Sequence, residues 1–150
     1  MTMTSSGYQV RPASLIDASQ VAGLAAELAQ SFPFDRAAFD RSYPAVLADD
    51  QACLLVAADE EGGCLGYVLG FAHPAFYANG PVAWVEEILV RAEHRRGGVG
   101  QELMAAFGQW ASGRGCRLVA LATRRAAPFY LAIGYEESAI YLRRVLPDGG

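Results

Sequence analysis

Arg95-Arg96-Gly97-Gly98-Val99-Gly100 follows an apolar, strand-like run, Val82 to Val90. It opens a segment in which Val99, Leu103, Phe107 and Trp110 recur at helical spacing. The order is strand, glycine-rich turn, helix. Backbone N–H groups at the start of such a helix converge on one place, at the positive end of the helix dipole. Glycines let a ligand approach the backbone closely, and two arginines add fixed positive charge. A phosphate or pyrophosphate is the matching guest. A plain tight turn carries the same glycines, so spacing has to decide. No Gly-Lys-Ser/Thr follows, which excludes the nucleotide P-loop. The dinucleotide fingerprint needs a glycine where Leu103 stands. The spacing that fits is R-x-x-G-x-G, from Arg95 through Gly98 to Gly100.

The rest of the chain frames that turn. A length of 150 residues is one domain, residues 1–150, with enough chain for a real core. Hydrophobic residues make up 53% and charged residues 19%, which favours a compact globular protein. No apolar run is long enough for a membrane helix. Residues 1–7 are polar, lack an apolar signal core and read as a flexible tail, so the expected location is cytoplasmic. The net charge of −4 argues against nucleic acid as a partner. Cys53, Cys64 and Cys116 show no metal spacing, and two histidines, His73 and His94, are too few for a metal cluster; no metal is expected. The cysteines read as small buried hydrophobes.

Tyr8 to Arg11 reads as a first strand, ended by Pro12, and Ser14 or Asp17 as the cap of a helix reaching about Gln30. A second helix is expected from about Asp35 to Leu47, then strands at Ala52–Ala58 and Cys64–His73 around the turn Asp59-Glu60-Glu61-Gly62-Gly63. Val82–Val90 is the fourth strand and Gly98–Ser112 the third helix. Cys116–Thr123, apolar on both faces, is a fifth strand of the kind covered on both sides. Ala126–Ile133 is a fourth helix, and Tyr135–Val145 contains one or two last strands. The sum is an α/β domain with a mixed central sheet of about six or seven strands and about four flanking helices.

The R-x-x-G-x-G spacing resembles the acyl-CoA pyrophosphate loop of the GNAT superfamily of N-acetyltransferases. Trp84-Val85-Glu86-Glu87-Ile88-Leu89-Val90-Arg91-Ala92-Glu93-His94-Arg95 resembles that family's central strand and its lead-in to the loop. Ala126-Ala127-Pro128-Phe129-Tyr130-Leu131-Ala132-Ile133-Gly134-Tyr135 resembles its A-x-x-F-Y-x-x-x-G-[FY] segment, and Val10-Arg11-Pro12-Ala13 with Asp17 its first strand and helix. One departure is Thr123, where the family often has an Asn credited with a cofactor contact. The resemblance implies acetyl-CoA as cofactor, a sheet splayed between its fourth and fifth strands, and transfer of an acetyl group to a primary amine of a small molecule or peptide within a ternary complex. The alternative is an acyl-CoA sensor or regulatory module of the same fold, without turnover.

Amide formation from a thioester needs the acyl donor held, the amine deprotonated, the oxyanion stabilised and the thiolate protonated. The resemblance gives the pyrophosphate to Arg95, Arg96, Gly97, Gly98, Val99, Gly100 and Gln101, and the pantetheine arm to Ile88, Leu89 and Val90. Glu86 and Glu87 interrupt an apolar strand, and charges there are costly without a use or a partner. Adjacent strand residues face opposite sides unless a bulge intervenes, so one of the two is expected in the acceptor cleft, with Glu86 favoured. A salt bridge to a helix arginine is the competing role. The oxyanion donor is expected at the N–H of Leu89 or Val90. Tyr130, read as lying off the buried stripe beside a core Phe129, is the expected general acid for the thiolate. Phe32, Phe34, the His73–Gly80 loop and Tyr141 are the acceptor-pocket candidates, with His73 as an alternative base. The apolar Ile140-Tyr141-Leu142 stretch leaves a homodimer possible.

Overall fold

The computed structural model describes residues 7–29 and 32–147. Its elements are β1 (Tyr8–Pro12), a 3-10 turn (Leu15–Asp17), α1 (Ala18–Leu28), α2 (Arg36–Ala48), β2 (Ala52–Asp59) and β3 (Cys64–His73). Then come β4 (Val82–Val90), a 3-10 turn (Ala92–His94), α3 (Val99–Gly113), β5 (Val119–Leu121) and α4 (Ala127–Ala132). The sheet order is β1-β2-β3-β4-β5. The first four strands pair antiparallel, while β5 lies parallel to β4, so the sheet is mixed as expected.

The sheet buries both faces. On one, Leu55, Val68, Ala83 and Val85 pack with Val99, Leu103 and Phe107 of α3. On the other, Leu54, Val56 and Tyr67 pack with Val21 and Leu24 of α1 and Tyr43 of α2. Phe107 is 0% exposed, and Gly70 makes room for it: a Cβ at that position would stand 2.3 Å from the Phe107 ring. The entry to α1 is tied down by Asp17, whose carboxylate accepts from Arg11 at 2.8 and 2.9 Å and from the Ser14 N–H at 2.9 Å. The Arg11 guanidinium holds that carboxyl below its ordinary pKa.

Strands β3 and β4 and the Asp59–Gly63 turn stand as expected, and β1, β2, α2, α3 and α4 agree to within a residue or so. Of the two expected caps, Asp17 is the N-cap residue of α1, without a side-chain cap bond, and Ser14 caps the separate 3-10 turn before it; the expected helix end at Gln30 lies outside the described residues. Among the described residues the sheet has five strands rather than six or seven. Cys116–Thr123 shrinks to Val119–Leu121, half-buried rather than covered on both sides. Tyr135–Val145 forms no strand. Gly134 turns the chain at φ +102°, and Tyr135 donates its N–H back to Tyr130 O at 3.0 Å, so the segment leaves α4 off the line of the ladder. Glu136, Glu137, Arg143 and Arg144 also break the period-2 apolar pattern a strand would need. Ile140 and Leu142 are exposed.

Candidate active site

One irregularity in β4 organises the site. Leu69 pairs with Glu87 and Gly70 with Val85, so Glu86 is an extra residue with no partner on β3. A bulge of one residue exchanges the faces of everything beyond it. Ala83 and Val85 pack on the α3 side, and after the bulge Ile88 and Val90 do so as well. Leu89 joins the α1/α2 side. Without the bulge, Glu87 would face the α3 core. With it, Glu87 faces the α1/α2 side, where the Tyr67 hydroxyl donates to its Oε1 at 2.8 Å. Tyr67 is 1% exposed, so this contact fixes the carboxylate from beneath. Burial, and then the Glu87 charge, push the Tyr67 hydroxyl far above its ordinary pKa, keeping it a donor. Among the described residues, no helix arginine takes either glutamate in an ion pair.

The second feature is the opening between β4 and β5. They pair at Ala83–Val119, Trp84–Ala120 and Val85–Leu121, and the pairing stops there. Residues 86–90 of β4 therefore have a free side. The Arg91 N–H donates to Leu65 O at 2.8 Å, which sets the alternation. Leu89 turns its N–H toward β3, and Ile88 and Val90 turn theirs into the opening. The Arg95 Nε donates to Val90 O at 2.9 Å, closing the far end of that free side.

The third feature lies just past it. Arg96 sits at φ +69° and Gly98 at φ +87°, and Gly98 is the N-cap residue of α3. Gly98 has no side chain to cap the helix, so the first-turn amides of Val99, Gly100 and Gln101 have no partner among the described residues. The N–H of Gly98 is likewise unpaired there, whereas that of Gly97 bonds to His94 O at 3.4 Å. These are the donors an anion requires at a helix N-terminus. Gly100 lets Phe129 approach, since a Cβ there would meet the ring at 3.4 Å.

The first two features open onto one cleft of about 1280 Å³, bounded by α1, α2, β4 and the β5–α4 connection; Leu89, Val90 and residues 95–101 are not part of its lining. Phe32, Phe34, Glu86, Glu87, Ile88 and Tyr130 all line it. His73 does not; it stands exposed at the end of β3, opposite Val82.

The α4 pair is reversed relative to its expected burial. Tyr130 is 7% exposed and Phe129 36%. Tyr130 is on the inner stripe, its ring edge-on to Phe129 at 4.9 Å and to Tyr135 at 5.8 Å. Its hydroxyl makes no hydrogen bond within the described residues, yet it is not sealed off. The ring is buried and the hydroxyl opens to the cleft. Burial raises its pKa, so it is a protonated donor at neutral pH. Thr123, in the Asn position, accepts the Ala126 N–H at 3.0 Å and holds the turn into α4. Burial pushes the Cys53 and Cys64 thiols up to about 12 and about 11, unsuited to nucleophilic work.

Tyr67, Arg124, Arg125 and Arg143 line the cleft without having been singled out from sequence. Tyr67 falls opposite Leu89 in β3, and only the bulge brings Glu87 to its hydroxyl. The adjacent arginines after β5 were a legible cue, being two charges that end an apolar run.

Comparison with known proteins agrees with this geometry. Aminoglycoside N(6')-acetyltransferase type 1 of Salmonella typhimurium is 32% identical over 102 residues, covering 61% of this chain; the match spans 66% of that protein's length. Glucosamine-6-phosphate N-acetyltransferase from Arabidopsis thaliana superposes with a TM-score of 0.82 at 18% identity, over 93% of this chain and 99% of that one. The aminoglycoside acetyltransferase AAC(6')-Iy, solved with a CoA bisubstrate analogue, superposes with a TM-score of 0.77 at 24% identity, over 93% and 99% of the two chains. At these identities the two solved structures speak for the fold alone. Acetyl-CoA is the cosubstrate of the family whose profile, the Acetyltransferase (GNAT) family, matches residues 21–135. The open sheet, the unpaired amides before α3 and that match over most of the chain lead to one conclusion: the chain belongs to the GNAT acetyltransferase family.

Proposed function

We propose that this protein transfers an acetyl group from acetyl-CoA to a primary amine, by direct attack within a ternary complex. The observation that carries this is a coincidence of position. The free side of β4 runs from the glutamate pair to the unpaired amides of α3, and the cleft brings Tyr130 to the same opening.

The chain's own groups divide the work. Gly98, Val99, Gly100 and Gln101 offer their N–H groups to the diphosphate, with Arg96 beside them. The N–H of Val90 offers a backbone contact to the extended arm, while Arg95, tied to Val90 O, keeps that strand end in place. When bound, the coenzyme supplies a thioester carbonyl. Glu86, exposed at the bulge, binds the acceptor ammonium. Glu87, held by Tyr67, takes its proton through water. An alkylammonium near pKa ~10.4 and a carboxyl near ~4.3 are far apart, so the glutamate works on the small neutral-amine fraction or by relay. The amine nitrogen then bonds to the carbonyl carbon. Ile88, which lines the cleft and turns its N–H into the opening, donates to the oxyanion. That role moves here from Leu89 or Val90, because Leu89 faces β3 and Val90 lies beyond the cleft lining. The C–S bond breaks, Tyr130 gives its proton to the departing sulfur, and the newly acylated nitrogen sheds its extra proton through water, which restores Tyr130.

The test is thiol release from acetyl-CoA across a panel of amines, alongside a thermal shift by acetyl-CoA. At a ligand concentration 100 times Kd, stabilisation of ~2.7 kcal/mol is expected. Glu87→Gln is expected to lower turnover by at least ~10²-fold while keeping that shift. A thermal shift with no thiol release for any amine supports the sensor alternative. No shift at all sinks the coenzyme site.

A further inference from the structure

The sheet face that carries Glu87 holds more than the Tyr67 contact. Leu54 of β2 pairs with Leu69 of β3, and Leu69 pairs with Glu87 of β4. Directly opposed residues share a face. Leu54, Leu69 and Glu87 therefore form one row across three strands, about 10 Å from end to end at two strand spacings. All three line the cleft. The row is the floor of one arm of it, apolar for two positions and ending at the carboxylate.

The walls match the floor. Val21, Ala25 and Leu28 of α1 face Phe39, Tyr43 and Val46 of α2 across this arm. They belong with Leu54 and Leu69 to one apolar cluster. Phe34, Phe39 and Tyr43 make a ladder of tilted rings, with centroids 5.9 and 5.2 Å apart. At the mouth Phe32 is 61% exposed and Phe34 38%. The polar groups of the arm are largely engaged. The Tyr43 hydroxyl donates to Ser14 O at 2.8 Å, and that of Tyr67 to Glu87. Asp35 Oδ1 accepts from the Ala37 and Ala38 amides at the start of α2. Among the described residues, Ser42 has the one side-chain hydroxyl of this arm without a partner.

We infer that this arm holds an apolar body of the acceptor, the size of an aromatic ring, so that the substrate is a hydrophobic primary monoamine. The inference rests on the proposed acetyl transfer and names the substrate class for it. The ammonium goes to Glu86 and Glu87, where the row ends. The body lies along Leu69 and Leu54, between the two helices. A ring buried there removes apolar surface of both partners from water. A carbohydrate amine would give up its hydrogen bonds to water and find one free hydroxyl in return, at a cost for each unmet group. An aminoglycoside adds further ammonium groups, for which this arm offers Asp35 alone among the described residues.

Acceptors of similar basicity and different bodies test it, with acetyl-CoA held constant and free thiol as the readout. They are 2-phenylethylamine and ethanolamine; an aminoglycoside is added. The aryl amine is expected to exceed ethanolamine by roughly 10²-fold in kcat/KM, and to exceed the aminoglycoside as well. Phe34→Ser should melt close to wild type and cut that lead by roughly 10-fold through the acceptor KM, leaving the acetyl-CoA KM in place. Phe34→Leu, still apolar, should restore most of the lead. Phe32→Ser, at the more exposed position, repeats the test should Phe34→Ser fold poorly. Equal kcat/KM for the two amines, or best turnover with the aminoglycoside, overturns the inference and leaves acetyl transfer standing. A lead that both serine variants leave intact puts the body elsewhere and overturns it too. So does a dimer in sedimentation that these variants dissociate, because a second copy then covers the arm. A thermal shift by acetyl-CoA with no thiol release for any amine removes the transfer reaction itself, and the inference with it.

Discussion

Residues 116–147 are richer in apolar side chains than residues 82–113, yet the two stretches end in opposite states. The earlier one becomes a nine-residue strand and a fifteen-residue helix whose inward face is sealed. The later one becomes a three-residue strand, a six-residue helix and an irregular tail with Ile140 and Leu142 in solvent. Apolar content alone therefore does not order a segment. What differs is partners at the right period. β4 has β3 beside it along its whole length, and α3 lays its stripe on the sheet. β5 has a neighbour on one side and for three residues. The opening this leaves is the one the proposed chemistry uses, so in that reading incomplete pairing in the later stretch is a condition of the site in the earlier one.

Substitutions can break or sharpen the contrast. The largest effect is expected in the sealed stretch: Phe107→Ala should lower unfolding free energy by about 3–5 kcal/mol in denaturant titration. A loss under 1 kcal/mol would mean the α3 face is not the packed one. Next comes the point where the two stretches meet. Tyr130→Phe should keep its melting temperature and lose roughly 10²-fold in turnover, read by thiol release. Unchanged turnover would leave Tyr130 as a packing residue and separate the two halves functionally. A smaller change is expected at the loop. Gly98→Ala places a side chain at φ +87°, which should cost about 1–2 kcal/mol in stability and raise the acetyl-CoA KM. Retained KM would put the diphosphate elsewhere. The smallest is in the open stretch: Ile140→Ser, at an 87% exposed position, should stay within about 0.5 kcal/mol of wild type. A larger loss would show that the segment is covered in solution.

The glutamates show how far the chain's text could be read. Two adjacent charges in an apolar run announced a departure from alternation, and a bulge was the stated way for that to happen. Which residue was extra depended on where Leu69 and Gly70 fall in β3, and no local pattern near Glu86 contains that register. The α4 aromatics were harder. Helical spacing said that Phe129 and Tyr130 point different ways, but the inward direction was set by Tyr135 folding back and by Gly100 receiving Phe129.

The sequence by itself determined the strand–turn–helix around Gly98, the hairpin at Asp59–Gly63, the long strands and the family, because each rests on neighbours a few residues apart: a period, a turn residue, a cap. Only the tertiary structure decided that Glu87 is the carboxylate tied to Tyr67, that Tyr130 turns inward, that Ile88 rather than Leu89 opens its N–H to the cleft, and that arginines line the same cleft. Those facts depend on register between strands and on which faces meet, quantities set by packing across the whole sheet rather than by any local stretch of chain.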